Sequence, residues 1–164
     1  MDPVAWRTGV KRLEFIVFGN PAPKGSMRAA GNRVIPSGSP ENRANLVSWE
    51  SAVRAGARNV LMDIGSTAIV FMGVPIRLTA VFRMPRLMSH FAKKGENAGR
   101  VLASAPKYPT SKPDMDKLLR TTLDAMTKLV FDDDARVAET LMRKVYAEPG
   151  KEGAWILIEQ LEDK

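Results

Sequence analysis

Ile76, Leu78, Ala80, Phe82 and Met84 alternate with Arg77, Thr79, Val81 and Arg83. A period of two marks a strand with one face on a core, so Pro75–Met84 is predicted as a strand. Its other face, with two arginines, reads as partly solvated. Leu13–Phe18 is a short run of apolar and aromatic residues and is predicted as another strand. Gly19–Gly25, with prolines at 21 and 23, ends it. From there to Ser39 the chain is rich in Gly, Pro, Ser and Arg and is predicted to be a loop.

Ser39-Pro40-Glu41 has the chemistry of a helix start, with Ser as N-cap and Pro in the first turn. Leu46, Trp49, Val53, Ala57 and Val60 then recur at spacings of three and four and give one apolar face, ending before Gly65. Gly56 interrupts the pattern. Trp49 on this stripe reads as a core residue, not as a platform for stacking bases. A second helix is predicted over 113–130, with a stripe of Met115, Leu118, Leu119, Thr122, Leu123, Met126, Leu129 and Val130. Val137–Ala147 and Ala154–Leu161 read as two strands joined as a hairpin through Glu148–Gly153. The order is β-α-β-α-β-β. The predicted class is α+β, in two layers, with one mixed sheet and both helices packed on one side of it.

Residues 85–112 fit neither period. They hold Arg86, Lys93, Lys94, Arg100, Lys107 and Lys112 against Glu96 alone. They are predicted as a long basic loop within a single domain spanning 1–164. A structureless loop of that length is uncommon in a compact domain and is usually functional or disordered. The lone histidine, His90, lies in it and reads as an exposed side chain without a catalytic role.

Composition then narrows the chemistry. There is no cysteine and one histidine in 164 residues. That excludes disulfides, thiol catalysis, cysteine-held metals and His-cluster metals, and argues against a Ser-His-Asp triad. No apolar run has the length of a membrane helix, and Met1–Arg7 has no apolar signal core. A cytoplasmic protein is expected. The net charge is +7, and it is unevenly spread. Residues 1–112 carry 17 Lys and Arg against 6 Asp and Glu, whereas 113–164 carry 8 against 12. A basic body suits a polyanion. The acidic third suits a divalent metal.

The acids concentrate between Lys112 and Arg136. Asp114 and Asp116 lie in the first turn of the second helix, where they splay by about 200° but can still reach forward to one ion. Asp116, Arg120 and Asp124 form a polar stripe at four-residue spacing. Taken singly, each feature has an ordinary explanation: helix capping, surface ion pairs, an acidic turn at Asp132-Asp133-Asp134. Together they form an oxygen-rich set suited to Mg²⁺ or Mn²⁺. An EF-hand is excluded. A loop counted from Asp114 has Ala125 at position twelve, one counted from Asp132 has Arg143, and neither has Gly at position six.

Three segments carry a resemblance: Lys112-Pro113-Asp114-Met115-Asp116-Lys117-Leu118-Leu119-Arg120, then Leu123-Asp124-Ala125, then Asp133-Asp134-Ala135-Arg136-Val137. With Pro21 to Arg28 upstream, they resemble the RusA-type Holliday junction resolvases, crossover-junction endonucleases of bacteria and their prophages. The resemblance runs from Phe15 to Val145. It implies a homodimeric, Mg²⁺-dependent enzyme, with Mn²⁺ able to substitute, that cuts paired strands of a four-way DNA junction in recombination and repair. It implies metal-holding and catalytic roles for Asp114, Asp116 and Asp134, with Asp133 as a nearby helper and either of the last two as the inner ligand. Arg120 stands where the family has a lysine, and Lys117 where it has an asparagine. Arginine stays protonated, so Arg120 suits clamping of phosphate charge and not proton donation. Lys24, Arg28, Lys93, Lys94, Lys112 and Lys117 are the expected DNA contacts. A flap- or fork-selective nuclease, or a non-catalytic basic DNA-binding module, are the alternatives.

Overall fold

The computed structural model describes residues 11–25, 27–30, 32–36 and 38–162. Among these residues, six strands and two α-helices run in the order β1 (Arg12–Phe18), β2 (Met27–Ala30), β3 (Arg33–Pro36), α1 (Pro40–Asp63), β4 (Ile76–Met84), α2 (Met115–Met126), β5 (Val137–Tyr146) and β6 (Gly153–Gln160). The main sheet has the order β1-β6-β4-β5. β6 runs antiparallel to both β1 and β4, and β5 runs parallel to β4. The class is α+β with a mixed sheet, as the pattern predicted.

Register puts one face of the sheet on the core. Leu13, Phe15 and Val17 of β1 stand opposite Ile158, Ile156 and Ala154 of β6, which in turn stand opposite Leu78, Ala80 and Phe82 of β4. All nine are buried. Trp49, Val53, Ala57 and Leu61 of α1 and Leu118, Ala125 and Met126 of α2 close the same core, so both helices lie on that face. Trp49 is 1% exposed, confirming it as a core residue. Truncating an aromatic so placed costs about 3–5 kcal/mol.

α1 starts as its sequence dictates, with Ser39 Oγ accepting the amide of Asn42. It ends in a paired-carbonyl cap: Ser66 N donates to Leu61 O and Gly65 N to Met62 O. Gly65 takes the left-handed φ of 68° that this cap demands. Gly56 marks the crossing of α1 over β1, where a Cβ would lie 3.0 Å from the Phe15 ring.

Five expectations are corrected. Part of the segment read as a loop before Ser39 is a two-stranded antiparallel hairpin, β2–β3. β5 and β6 are not a hairpin pair, because β4 lies between them in the sheet. α2 stops at Met126, four residues short of the expected end. Lys128 adopts φ 64° and its amide donates to Phe131 O, so the stripe residue Val130 is buried by a turn and not by helix. The 85–112 segment is not structureless. A bridge joins Phe91 to Val101, with Ala92 N bonded to Arg100 O and Gly99 N to Ala92 O. His90 is buried, edge-on to Tyr146 at 5.4 Å between ring centres. The outer face of β4 is partly exposed, as expected, and both of its arginines are engaged. Arg77 pairs with Glu139 of β5, while Arg83 lies over the Phe18 ring and buries Nε and Nη2.

Candidate active site

The segment leading into α2 is tied down from the sheet. Lys144 of β5 donates from Nζ to the carbonyls of Ser111 at 2.9 Å and Pro113 at 3.0 Å. Sequence reading had no signal for Lys144, since its partners are backbone oxygens more than 30 residues away. Asp114 then occupies the N-cap position with extended backbone, but its side chain makes no capping bond. Its Oδ2 lies 3.3 Å from Lys117 Nζ, one turn on. Asp116 follows in the first turn and is exposed. Both carboxylates sit at the N-terminal end of α2, the positive end of its dipole.

Further along α2, Arg120 is exposed. Asp124 pairs with Lys24 Nζ across 100 residues of chain, both side chains about two-thirds buried. Lys24 therefore pins the Pro21–Gly25 loop to α2, a task the sequence did not suggest for it.

The three consecutive acids divide into distinct tasks. Asp132 accepts three bonds from Arg136, Nε being shared between both oxygens, and one from the amide of Gly73. The Arg136 guanidinium is the chief reason its pKa falls to about 2. Asp133 caps the short 3₁₀ turn Asp134–Arg136 by accepting Ala135 N, and that bond holds its pKa below the usual value. Asp134 opens the turn and is exposed. Asp133 and Asp134 are both exposed, and with Asp132 latched to Arg136 and Asp133 capping the turn, Asp134 is the acid of the triplet that holds neither of these tasks.

These acids do not all meet in one chain. α2 has 12 residues, roughly 18 Å at the helical rise. Its start is tied to Lys144 near the end of β5, and its far end turns through Thr127–Phe131 toward the beginning of β5. Asp114 and Asp116 thus lie at one end of α2 and Asp134 beyond the other. Among the described residues, no three acidic or histidine side chains come close enough to share a metal ion. Of the expected DNA contacts, Lys93, Lys94 and Lys112 are exposed and Lys117 is half-buried beside Asp114. The side chain of Arg28 lies outside the described residues.

The family description "Endodeoxyribonuclease RusA" matches residues 21–153. The chain is also 29% identical over 141 residues to a Bacillus subtilis (strain 168) protein named "Uncharacterized protein YqaN", covering 83% of this chain and 89% of that protein. The match takes in α2 and both flanking acidic positions, so every residue discussed above from Pro21 to Gly153 lies within it: the chain belongs to the RusA endodeoxyribonuclease family.

Proposed function

We propose that this protein is a Mg²⁺-dependent endonuclease that resolves four-way DNA junctions and related branched DNA by phosphodiester hydrolysis. The observation that carries the reading is the exposed acid pair at the start of α2, Asp114 and Asp116, flanked by Lys112, Lys117 and Arg120 in a chain of net charge +7. Carboxylates alone would repel DNA, and cations alone would only bind it. The interleaving of both at one helix end suits a group that brings phosphate against an oxygen-ligand site.

The donor set fits a hard divalent cation in chemistry, since it is all carboxylate oxygen. It does not fit in geometry within one chain, because Asp134 lies at the wrong end of α2. A homodimer resolves this: Asp134 of one copy would complete the site begun by Asp114 and Asp116 of the other. Such an ion supplies polarisation of the phosphoryl oxygen and a more acidic bound water. The chain's own residues do the rest. Lys112 and Lys117 draw the phosphate in, and Arg120 neutralises the charge that grows on it in the transition state. The exposed cations of 85–112 hold the DNA backbone without reading bases.

The test is incubation of end-labelled four-way junctions, flaps, forks and linear duplex with Mg²⁺, and separately with Ca²⁺. Paired nicks in the four-way junction with Mg²⁺, and binding without nicks in Ca²⁺, are expected. Faster cutting of flaps or forks than of junctions would make it a different structure-selective nuclease. Binding with no cutting of any DNA would make it a non-catalytic module.

A further inference from the structure

Asp114, Lys112 and Lys117 form one side of a cavity of about 360 Å³ whose remaining walls have no part in the chemistry above. Its walls are apolar: Pro21 and Pro23 from the loop after β1, and Pro113 from the turn into α2. Asn42 and Asn45 of α1 also line it, and their spacing of three puts them on one helix face. Arg43 and Lys112 add positive charge.

Flat proline walls, paired amides and a cationic rim together describe a site for a planar heteroaromatic ring attached to phosphate. Asparagine side chains pair naturally with the edges of bases. The cavity touches Asp114, so its occupant lies next to the candidate cleavage point. We propose that this cavity receives an unstacked base of the DNA strand adjacent to the cut phosphate, and that Asn42 and Asn45 read it and set a sequence preference at the cleavage point. The proposal rests on the nuclease reading. Stacking can be interrupted at a branch point, which lowers the cost of extruding a base there.

The experiment uses the full-length protein and its Asn45→Ala and Asn42→Ala variants. Both asparagines are exposed, and thermal unfolding midpoints check that the variants fold like the wild type. Four-way junctions carry 2-aminopurine at successive positions flanking the crossover and are bound without divalent metal. One position should brighten on binding the wild type as its base leaves the stack, and Asn45→Ala should lose that rise at saturation. In parallel, junctions varied in sequence at that position are cut in Mg²⁺. The wild type should prefer one base by roughly tenfold, and the variants should lose most of that preference. Fluorescence and preference that are the same in wild type and variants overturn the base pocket while leaving the nuclease reading intact. A wild type that neither binds nor cuts the junctions overturns both.

Discussion

Arg136 grips Asp132 through Nε at 3.1 Å and Nη2 at 2.8 Å, and the same carboxylate accepts the amide of Gly73 at 3.1 Å. One acid thus fastens the turn that carries Asp134 to the loop ahead of β4. Asp132→Ala should destabilise the protein by about 1–2 kcal/mol, chiefly by leaving the Gly73 amide and the guanidinium unpaired. The ionic part is small, because the arginine side chain is 40% exposed. Cleavage should fall roughly tenfold or more, since a displaced turn misplaces Asp134. Urea unfolding and junction cleavage of the same preparation measure both. An unchanged unfolding midpoint would reduce the pair to surface decoration.

Gly153 opens β6 with φ 151°, and a Cβ there would lie 1.9 Å from Val17 O. The obstacle is backbone, so no rotamer change relieves it. Gly153→Ala should cost more than about 3 kcal/mol by forcing β1 away from β6. Gly150→Ala, at a turn glycine with open space around it, should cost less despite its positive φ of 79°. Comparing the two thermal midpoints decides the matter; equal losses would assign both effects to backbone strain alone.

What could be read from the sequence followed from local period and local chemistry. β4 and α1 follow directly from their alternation and stripe, and Ser39 caps as its type suggests. Failures arose where a distant partner decides. His90 is buried because Tyr146 arrives from β5, and β2–β3 pair without an alternating pattern to announce it. At the site, the acids were legible as residue types, but their division of labour was not. Asp132 and Asp133 are occupied by Arg136, Gly73 and Ala135, and a helix separates Asp134 from Asp114. Spacing along the chain could not show that the helix puts them at opposite ends.

The exposed cations of 85–112 should govern affinity more than chemistry. Each lysine that meets a phosphate releases condensed counterions. Changing Lys93, Lys94, Lys107 and Lys112 to Gln should make the log–log salt slope of junction binding shallower by up to roughly three to four units. The cleavage rate at saturating protein should change less than the affinity, because only Lys112 borders the acid pair. Filter binding across a salt series gives the slope. A slope equal to that of the wild type would show that this segment stays off the DNA.

Glu14 and Trp155 join the outer face of β1 to that of β6, with Nε1 donating to Oε1 at 2.7 Å. That bond first, and Arg12 second, lower the Glu14 pKa from 4.5. A depressed carboxylate stabilises the fold above its unfolded value and ceases to do so as pH falls through the folded value. Trp155 emission should therefore change with a midpoint below 4.5, and Glu14→Gln should abolish that transition. Identical titrations of the wild type and the variant would mean that the bond does not persist in solution.

The separation of Asp134 from Asp114 makes the dimeric site testable without a structure of the complex. Asp114→Asn and Asp134→Asn each remove a negative ligand without adding bulk, so each homodimer should bind junctions and cut nothing. In a mixed dimer, the two sites differ. If each site takes Asp114 from one copy and Asp134 from the other, one site carries both substitutions and the second is intact. Random exchange makes about half the dimers mixed, each with one working site, so roughly a quarter of the wild-type sites should return. These isolated sites should nick one strand of the junction and leave its opposite uncut. If instead a single chain closes Asp134 onto Asp114, every site in the mixture lacks one ligand. The mixture then stays as inactive as its parts, and the shared site is ruled out. Subunit exchange is confirmed beforehand with two differently tagged copies, so a silent mixture reports on the site and not on slow reassociation.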